Sequence, residues 1–300
     1  MEERGSISIF INPVSGGGSG LKLYKKIEAR LDAVPFLRRH VEGVYLTPQE
    51  KGDVQTLDAL HASHTVMICG GDGTVHQMVN LIKSTGLNRR ISVFPLGTGN
   101  DFALGMGNDE SNAIRHLRRI IERPRTAKTD IYSLNGKVFF TNYASIGLDA
   151  HILSLYQTAV RRMGPIPLPP SIKKSLFLLA GILALASYGK KVDEGDKRYV
   201  SILAANLRRY AGGSVVSQTS APDDGMIEMV RMEGKLGFAK LVLSRYFPAL
   251  HPASISVRPP VSINIKQDAP VQVDGEDYSG LFSGVREFTI AHEGTIPVCR

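Results

Sequence analysis

Residues 66–82 read VMICGGDGTVHQMVNLI, and this stretch decides the fold. Thr65 to Cys69 is rich in β-formers and predicts a buried strand. Val75, Met78, Val79 and Ile82 then recur at helical spacing, so a helix is expected from about Thr74. Between them GGDGT offers a bare backbone, one carboxylate and one hydroxyl at the exit of a strand. The same alternation extends to either side. SISIF with Ile11 and Asn12 (6–12) predicts a strand, and Leu21, Tyr24, Ile27 and Leu31 mark a helix. Val41 to Leu46 predicts a second strand. Thr47-Pro48-Gln49-Glu50 has the form of a capping box with proline at the first helical position. The helix it would open carries Val54, Leu57 and Leu60, and ISVF (91–94) is a fourth strand. This β-α-β-α order implies a parallel sheet covered by helices, with ligands beyond the carboxyl ends of the strands. Three loops fall at that edge: NPVSGGGSG (12–20), GGDGT (70–74) and PLGTGND (95–101).

Beyond about residue 130 the texture changes. Asn135-Gly136 between two apolar runs predicts a hairpin. Further β-like stretches at 199–205, 226–231, 254–257, 262–265, 271–273 and 287–291 predict a second, mainly antiparallel domain. Helical segments are expected near 151–162 and 171–188, separated by the irregular loop GPIPLPP (164–170). The expected division is 1–130 and 131–300, with room for the C-terminal strand to return to the first domain.

Two cysteines without paired spacing, Cys69 and Cys299, argue against a disulfide framework or zinc cluster and fit a reducing compartment. Glu2 and Glu3, with no long apolar core after them, make a signal peptide unexpected. The apolar run Leu176–Ala186 is too short to span a bilayer, which takes about 20 residues. Its flanks, Lys173-Lys174 and Lys190-Lys191, are basic. Buried helix and membrane-facing helix both fit this run. The net charge of +8 favours anionic partners or a merely soluble surface, and charge alone does not choose.

The loops carry the chemistry. Glycine lets backbone N–H groups approach phosphate oxygens, and the following helix dipole favours negative charge. Asp72 would repel a phosphate unless Mg²⁺ stood between them, with Asp101 sharing that task. A tight strand–helix turn capped by Asp72 fits GGDGT equally well. No G-x-x-x-x-G-K-[ST] and no G-x-G-x-x-G occurs, which excludes a P-loop and leaves a dinucleotide site unsupported. In VQVDGEDYSG (271–280), Asp274 and Glu276 are two apart, so an extended chain would aim both one way. Either could accept a hydroxyl proton in phosphoryl transfer, and a surface turn is the plain alternative. In APDDG (221–225), Asp224 could cap a turn or bind a metal with neighbouring carbonyls. His76 is expected on the helix surface.

In order, Asn12-Pro13, GGDGT, PLGTGNDFA, Asn206, Gly212-Gly213, APDDG and VDGE resemble the soluble lipid kinases that include bacterial diacylglycerol kinases, over nearly the whole chain. The resemblance implies an α/β N-terminal domain with a parallel sheet, as in NAD kinases and diacylglycerol kinases. It implies a mainly antiparallel β-sandwich C-terminal domain and a cleft between the two. ATP would be held by Asn12, Thr47, Gly70, Gly71, Asp72, Gly73, Thr74 and Thr98, with Asn100 and Asp101 beside them. Glu276, with Asp274, would activate the substrate hydroxyl. A structural Mg²⁺ would sit near Asp224 with the carbonyls of Ala221 and Met226. The expected partners are a membrane lipid and the cytoplasmic membrane surface, not nucleic acid, and a homodimer is allowed. Diacylglycerol is the expected acceptor; phosphatidylglycerol, a sphingoid base and a catalytically silent regulator are the alternatives. Two departures stand out. His76, Gln77 and Leu81 replace the family's usual Asn-Glu pair and later glycine. The 16–20 loop lacks the usual lysine, for which Lys22 or Lys25 could stand in.

Overall fold

The computed structural model describes residues 6–47, 53–164, 168–189 and 192–300. Two compact units emerge: the chain through Thr129 together with Thr295–Arg300, and Asp130–Gly294.

The first unit runs β1 (Ile7–Ile11), α1 (Ser15–Ala33), α2 (Pro35–Arg38), β2 (Val41–Leu46), α3 (Val54–Ala62), β3 (Thr65–Gly70), α4 (Asp72–Ser84), β4 (Arg90–Pro95), α5 (Asp101–Gly105) and α6 (Ala113–Glu122). The strands lie in the order β2-β1-β3-β4, each pair parallel. Every residue of β1 and β3 is buried, which explains their continuous apolar runs. One core joins Ile9, Ile11, Met67 and Phe94 to Ile27 and Leu31 of α1 and Leu117 of α6. The helix α3 starts later than the expected capping box. Its cap is Asp53, whose carboxylate accepts the Thr56 N–H at 3.3 Å and the Thr56 hydroxyl at 2.7 Å. Pro48, Gln49 and Glu50 lie outside the described residues. His76 is buried, not on the surface, and Asn80 reaches its ring and its carbonyl. The helices α2, α5 and α6 were not anticipated.

The chain then passes into the second unit along β5 (Thr126–Leu134). There follow β6 (Val138–Phe140), β7 (Tyr143–Gly147), α7 (Leu148–Arg162), α8 (Pro170–Ser187), β8 (Val192–Glu194), β9 (Lys197–Tyr199), β10 (Ser201–Ala205), β11 (Arg209–Tyr210) and β12 (Ser214–Val215). Next come β13 (Ile227–Met232), α9 (Lys235–Leu243), a 3₁₀ turn (Pro248–Leu250), β14 (Ile255–Val257), β15 (Val261–Asn264), β16 (Val271–Val273), β17 (Glu276–Asp277) and β18 (Glu287–Cys299). An antiparallel sheet has the order β14-β13-β10-β7-β16-β17. The β5–β6 hairpin and the β15–β18 pair supply a second set of strands. The two sets share one core, in which Tyr132, Phe140, Phe288 and Ile263 meet Ile146, Ile202 and Val271. At the expected hairpin Asn135 and Gly136 take φ of 53° and 64°, as that turn chemistry requires.

The apolar run in α8 is two-faced rather than buried all round. Ala180 and Ala184 enter the core beside Ile152 and Leu203, while Leu178, Leu179, Ile182 and Leu183 are exposed. Residues 165–167 of the preceding loop, and Lys190 and Lys191 of the flanking pair, lie outside the described residues. The last strand belongs to both units. Its first half pairs with β15, and Val298 pairs parallel with Ile91 of β4.

Candidate active site

In the first unit, the loops after β1, β3 and β4 are fastened to one another. The Asn12 amide donates to the Thr74 hydroxyl at 2.9 Å, and the Asn12 side-chain oxygen accepts the Val14 N–H. Thr47, buried at the end of β2, donates its N–H to the Ile11 carbonyl. Leu96 N–H bonds the Gly70 carbonyl at 2.9 Å. Glycine is required where the loops touch. A Cβ on Gly97 would lie 2.6 Å from the Gly71 Cα and 2.8 Å from the Asn100 side-chain oxygen. A Cβ on Gly70 would collide with Thr74. Asn100 sits at φ 55° and closes its own loop, accepting the Gly97 N–H at 2.8 Å and donating to the Gly97 carbonyl at 2.9 Å. Thr98, at the tip of that loop, is exposed. At the head of α1 the loop's own Gly16, Gly17 and Gly18 run at φ 60°, 68° and 92°, so the first turn is left-handed and non-helical.

Asp72 has a role that GGDGT alone does not show. Its two oxygens accept the N–H groups of Asp101 at 3.1 Å and Phe102 at 2.9 Å. It therefore caps the short α5 across a gap of 29 residues. Gly73 and buried Thr74 form the first turn of α4, where backbone N–H groups and the helix dipole favour an anion. Asp101 is buried beside them. The expected residues Asn12, Thr47, Gly70, Gly71, Asp72, Gly73, Thr74, Thr98, Asn100 and Asp101 thus all belong to one edge of the first sheet.

In the second unit, Asp274 and Glu276 do not point one way. Asp274 takes φ 49° and Gly275 φ 84°, so the chain turns sharply between β16 and β17. The buried Asp274 carboxylate accepts three backbone N–H groups, from Thr141 at 3.1 Å, Asn142 at 3.0 Å and Tyr143 at 2.9 Å. Its oxygens are committed to holding the turn. Glu276 comes out on the exposed side, with the Gln157 amide 3.4 Å from its carboxylate. Burial, then the negative charges of Glu276 and Asp274, push the neighbouring Tyr278 hydroxyl up to about 12.

The loop around Asp224 is closed by protein partners. Asp224 accepts the Met226 N–H at 2.9 Å, and the Met226 carbonyl accepts the Tyr132 hydroxyl at 2.6 Å. Asp130 holds the same loop, accepting the Gly225 N–H at 2.7 Å and meeting His292 Nε2 at 2.7 Å. Ala221 stands at the loop's start, half-buried. Among the described residues no group of three His, Cys, Asp or Glu side chains is placed to hold a metal ion. Single carboxylates, carbonyls and a nucleotide's own phosphates are the donor set that Mg²⁺ commonly uses.

Two polar clusters escaped the sequence reading. One is Asp130 with Tyr132 and His292. The other is Asp149, buried in the first turn of α7, which accepts the Tyr210 hydroxyl at 3.0 Å, the Gln272 amide at 3.0 Å and the Ser201 hydroxyl. Burial, then the Asp149 charge, raises the Tyr210 hydroxyl well above its ordinary value. No local spacing announces either cluster: Asp130 and Tyr132 share β5 but meet His292 of β18, and Asp149 of α7 meets side chains from β10, β11 and β16; Asp149 itself, acidic at the head of an apolar helix, was the one available signal.

Residues 6–133 match the model of the diacylglycerol kinase catalytic domain. Over 93% of its length the chain is 23% identical to human diacylglycerol kinase zeta, of which it spans 34%. It is 26% identical to the diacylglycerol kinase of Staphylococcus carnosus, over 91% of this chain and 88% of that one. Its fold matches a crystal structure of a diacylglycerol kinase from Bacillus anthracis with a TM-score of 0.65, at 16% identity, over 99% of this chain and 98% of that one.

Proposed function

We propose that this chain transfers the γ-phosphoryl group of ATP to the hydroxyl of a lipid, with diacylglycerol as acceptor and phosphatidic acid as product. The observation that carries the reading is the DGE turn. Three backbone N–H groups fix Asp274 inward, which presents Glu276 outward on a rigid stem. A carboxylate so placed can take the proton of an alcohol as its oxygen attacks phosphorus. One O–P bond forms, the bond between the γ-phosphorus and the β-bridging oxygen breaks, and ADP leaves. In this reading Asp274 is a positioning residue and Glu276 the base.

The 70–74 and 95–101 loops, Asn12 and Thr47 hold the nucleotide. Glycine at 71 and 97 keeps the loops in contact, and the first turn of α4 faces the phosphates. Mg²⁺, held by phosphate oxygens with Asp72 or Asp101, would neutralise charge on the transferred group. A second Mg²⁺ would be held by Asp224 with the carbonyls of Ala221 and Met226; its test is a Mg²⁺-dependent rise in melting temperature that Asp224→Ala abolishes.

Among the described residues no helix is long and apolar enough to cross a membrane. The outward face of α8, with Phe177, Leu178, Leu179, Ile182 and Leu183, supports peripheral attachment at a cytoplasmic membrane surface.

The test is γ-labelled ATP with Mg²⁺ and a panel of mixed-micelle lipids, native protein against Glu276→Gln. Label in phosphatidic acid, lost in the variant, is expected. Label in phosphatidylglycerol phosphate or a sphingoid phosphate would keep the mechanism and change the acceptor. No label in any lipid, despite ATP binding, would replace the reading with a nucleotide-binding regulator.

A further inference from the structure

In the second unit α9 and α8 hang on one core. Phe238 and Leu241 of α9 are buried with Ala180 and Ala184 of α8, and the Lys235 ammonium bonds the Leu185 carbonyl near the end of α8. Ser244 fastens the end of α9 to β12, accepting the Val215 N–H at 2.8 Å and donating to the Val215 carbonyl. The inner face is therefore fully occupied. The outer face is apolar and open. Leu236 is 72% exposed, Tyr246 71% and Phe247 61%, with Val242, Leu243 and Leu250 exposed beside them. All six residues from Arg245 to Leu250 are exposed. A soluble surface rarely gathers so many large apolar side chains without a partner.

Charge says which partner. From Gly234 to Gln267 the sequence has no acidic residue, while it carries Lys235, Lys240, Arg245, Arg258 and Lys266. The Arg245 guanidinium lies over the Tyr246 ring at 5.9 Å. Arg209 and Arg245 both flank Gly213, so the β11–β12 hairpin adds to the cationic rim. Aromatic side chains at the tip and cations around them suit the boundary of an anionic bilayer, where rings sit at headgroup depth and cations meet phosphates. A protein partner's apolar patch would leave this rim without counter-charge.

We propose that residues 235–250, the helix α9 with the Arg245–Leu250 tip, are a second membrane contact, seating Tyr246 and Phe247 at the headgroup–acyl boundary of an anionic bilayer. The proposal rests on the lipid-kinase reading for the presence of a membrane, but its test uses no phosphoryl transfer. The chain has no tryptophan, so Phe247→Trp installs a single reporter. The probe is vesicles of phosphatidylcholine containing about one-third phosphatidylglycerol. The expected result is a blue-shifted Trp emission quenched by brominated acyl chains, and weaker by about tenfold in binding on pure phosphatidylcholine. Tyr246→Ser with Phe247→Ser should lower partition by about tenfold. Both residues are exposed, so the melting temperature should hold. That variant should still phosphorylate a dispersed short-chain acceptor as the native protein does. A Trp emission that stays water-like while the protein sediments with vesicles would overturn the proposal and leave attachment to α8. Change of a dimer to a monomer in the double variant would also overturn it, making the patch a contact between copies. Failure of the kinase assay in native protein would leave the vesicle readout intact.

Discussion

Asp274 and Glu276 are two residues apart and do different work. Asp274 is buried with three N–H donors on its carboxylate, so Asp274→Ala would leave those donors unpartnered. Each buried hydrogen bond to a charged group contributes about 1.5–3 kcal/mol, so the melt of Asp274→Ala should fall by several degrees or more. Glu276→Gln keeps the shape of an exposed side chain whose contact with Gln157 is long, and its melting curve should overlay the native one. Its kcat should fall by about 10²–10⁴-fold, with KM for ATP unchanged, because only the proton acceptor is lost. Equal thermal losses in both variants, or a Glu276→Gln enzyme at native rate, would break this division of roles. The motif was legible in the sequence, but its geometry was not. Spacing of two implies a shared face only in an extended chain, and the positive φ of Asp274 cancels that implication. The reason lies in Thr141–Tyr143, more than 130 residues earlier.

At the scale of elements, the alternation of strands and helices through residue 95 was written in the sequence, because buried parallel strands must be apolar throughout. The contacts that fasten one loop to another were not. Gly71 and Gly97 look like two independent phosphate-binding glycines, yet they are also each other's neighbours. Gly97→Ala would force the Asn100 side chain and the Gly71 backbone apart. ATP affinity should fall by about tenfold or more, with a loss of stability of about 1–3 kcal/mol, read by nucleotide titration and denaturant unfolding. A second hidden fastening joins β4, α6 and the last strand. Ser92 donates its hydroxyl to the Cys299 carbonyl at 2.9 Å, so it can only accept from His116 Nε2 at 2.8 Å. Arg119 donates to His116 Nδ1 at 2.9 Å. The ring is thus neutral with its proton on Nε2. Burial first, then the Arg119 charge, hold its pKa down to about 4 from 6.5. The unfolded chain gains this proton below about pH 6.5, the folded one only near 4. Stability is therefore complete above 6.5 and lost as pH falls through that window, by about 3 kcal/mol from this group. His116→Gln can keep one donor and one acceptor without titrating, and should flatten the slope of unfolding free energy between pH 4 and 6.5.

The molecule as a whole is not divided where its chain would be cut. The change of texture near residue 130 marks the passage from one unit to the next, and it was visible because helix-spaced patterns give way to short strands and turns. The return of Thr295–Arg300 to the first unit leaves a fainter trace. TIPVCR reads as one more short β stretch, and only the open end of the parallel sheet says where it belongs. There Val298 pairs with Ile91, the Cys299 carbonyl accepts from Ser92, and Arg300 N–H bonds the Arg125 carbonyl at 2.9 Å. Ile296, Val298 and Cys299 are all buried. Burial of each large apolar side chain contributes about 1.5–3 kcal/mol, so removing the six residues should cost several kcal/mol. That is a large fraction of the roughly 5–15 kcal/mol that holds a domain folded. Deleting 295–300 should therefore unfold the first unit at temperatures well below the melt of the full chain, and abolish ATP binding although every nucleotide-loop residue is still present. Adding a peptide of residues 287–300 in trans should recover part of the binding. A shortened chain that binds ATP with native affinity would show that the last strand is an accessory to the sheet and not one of its structural members.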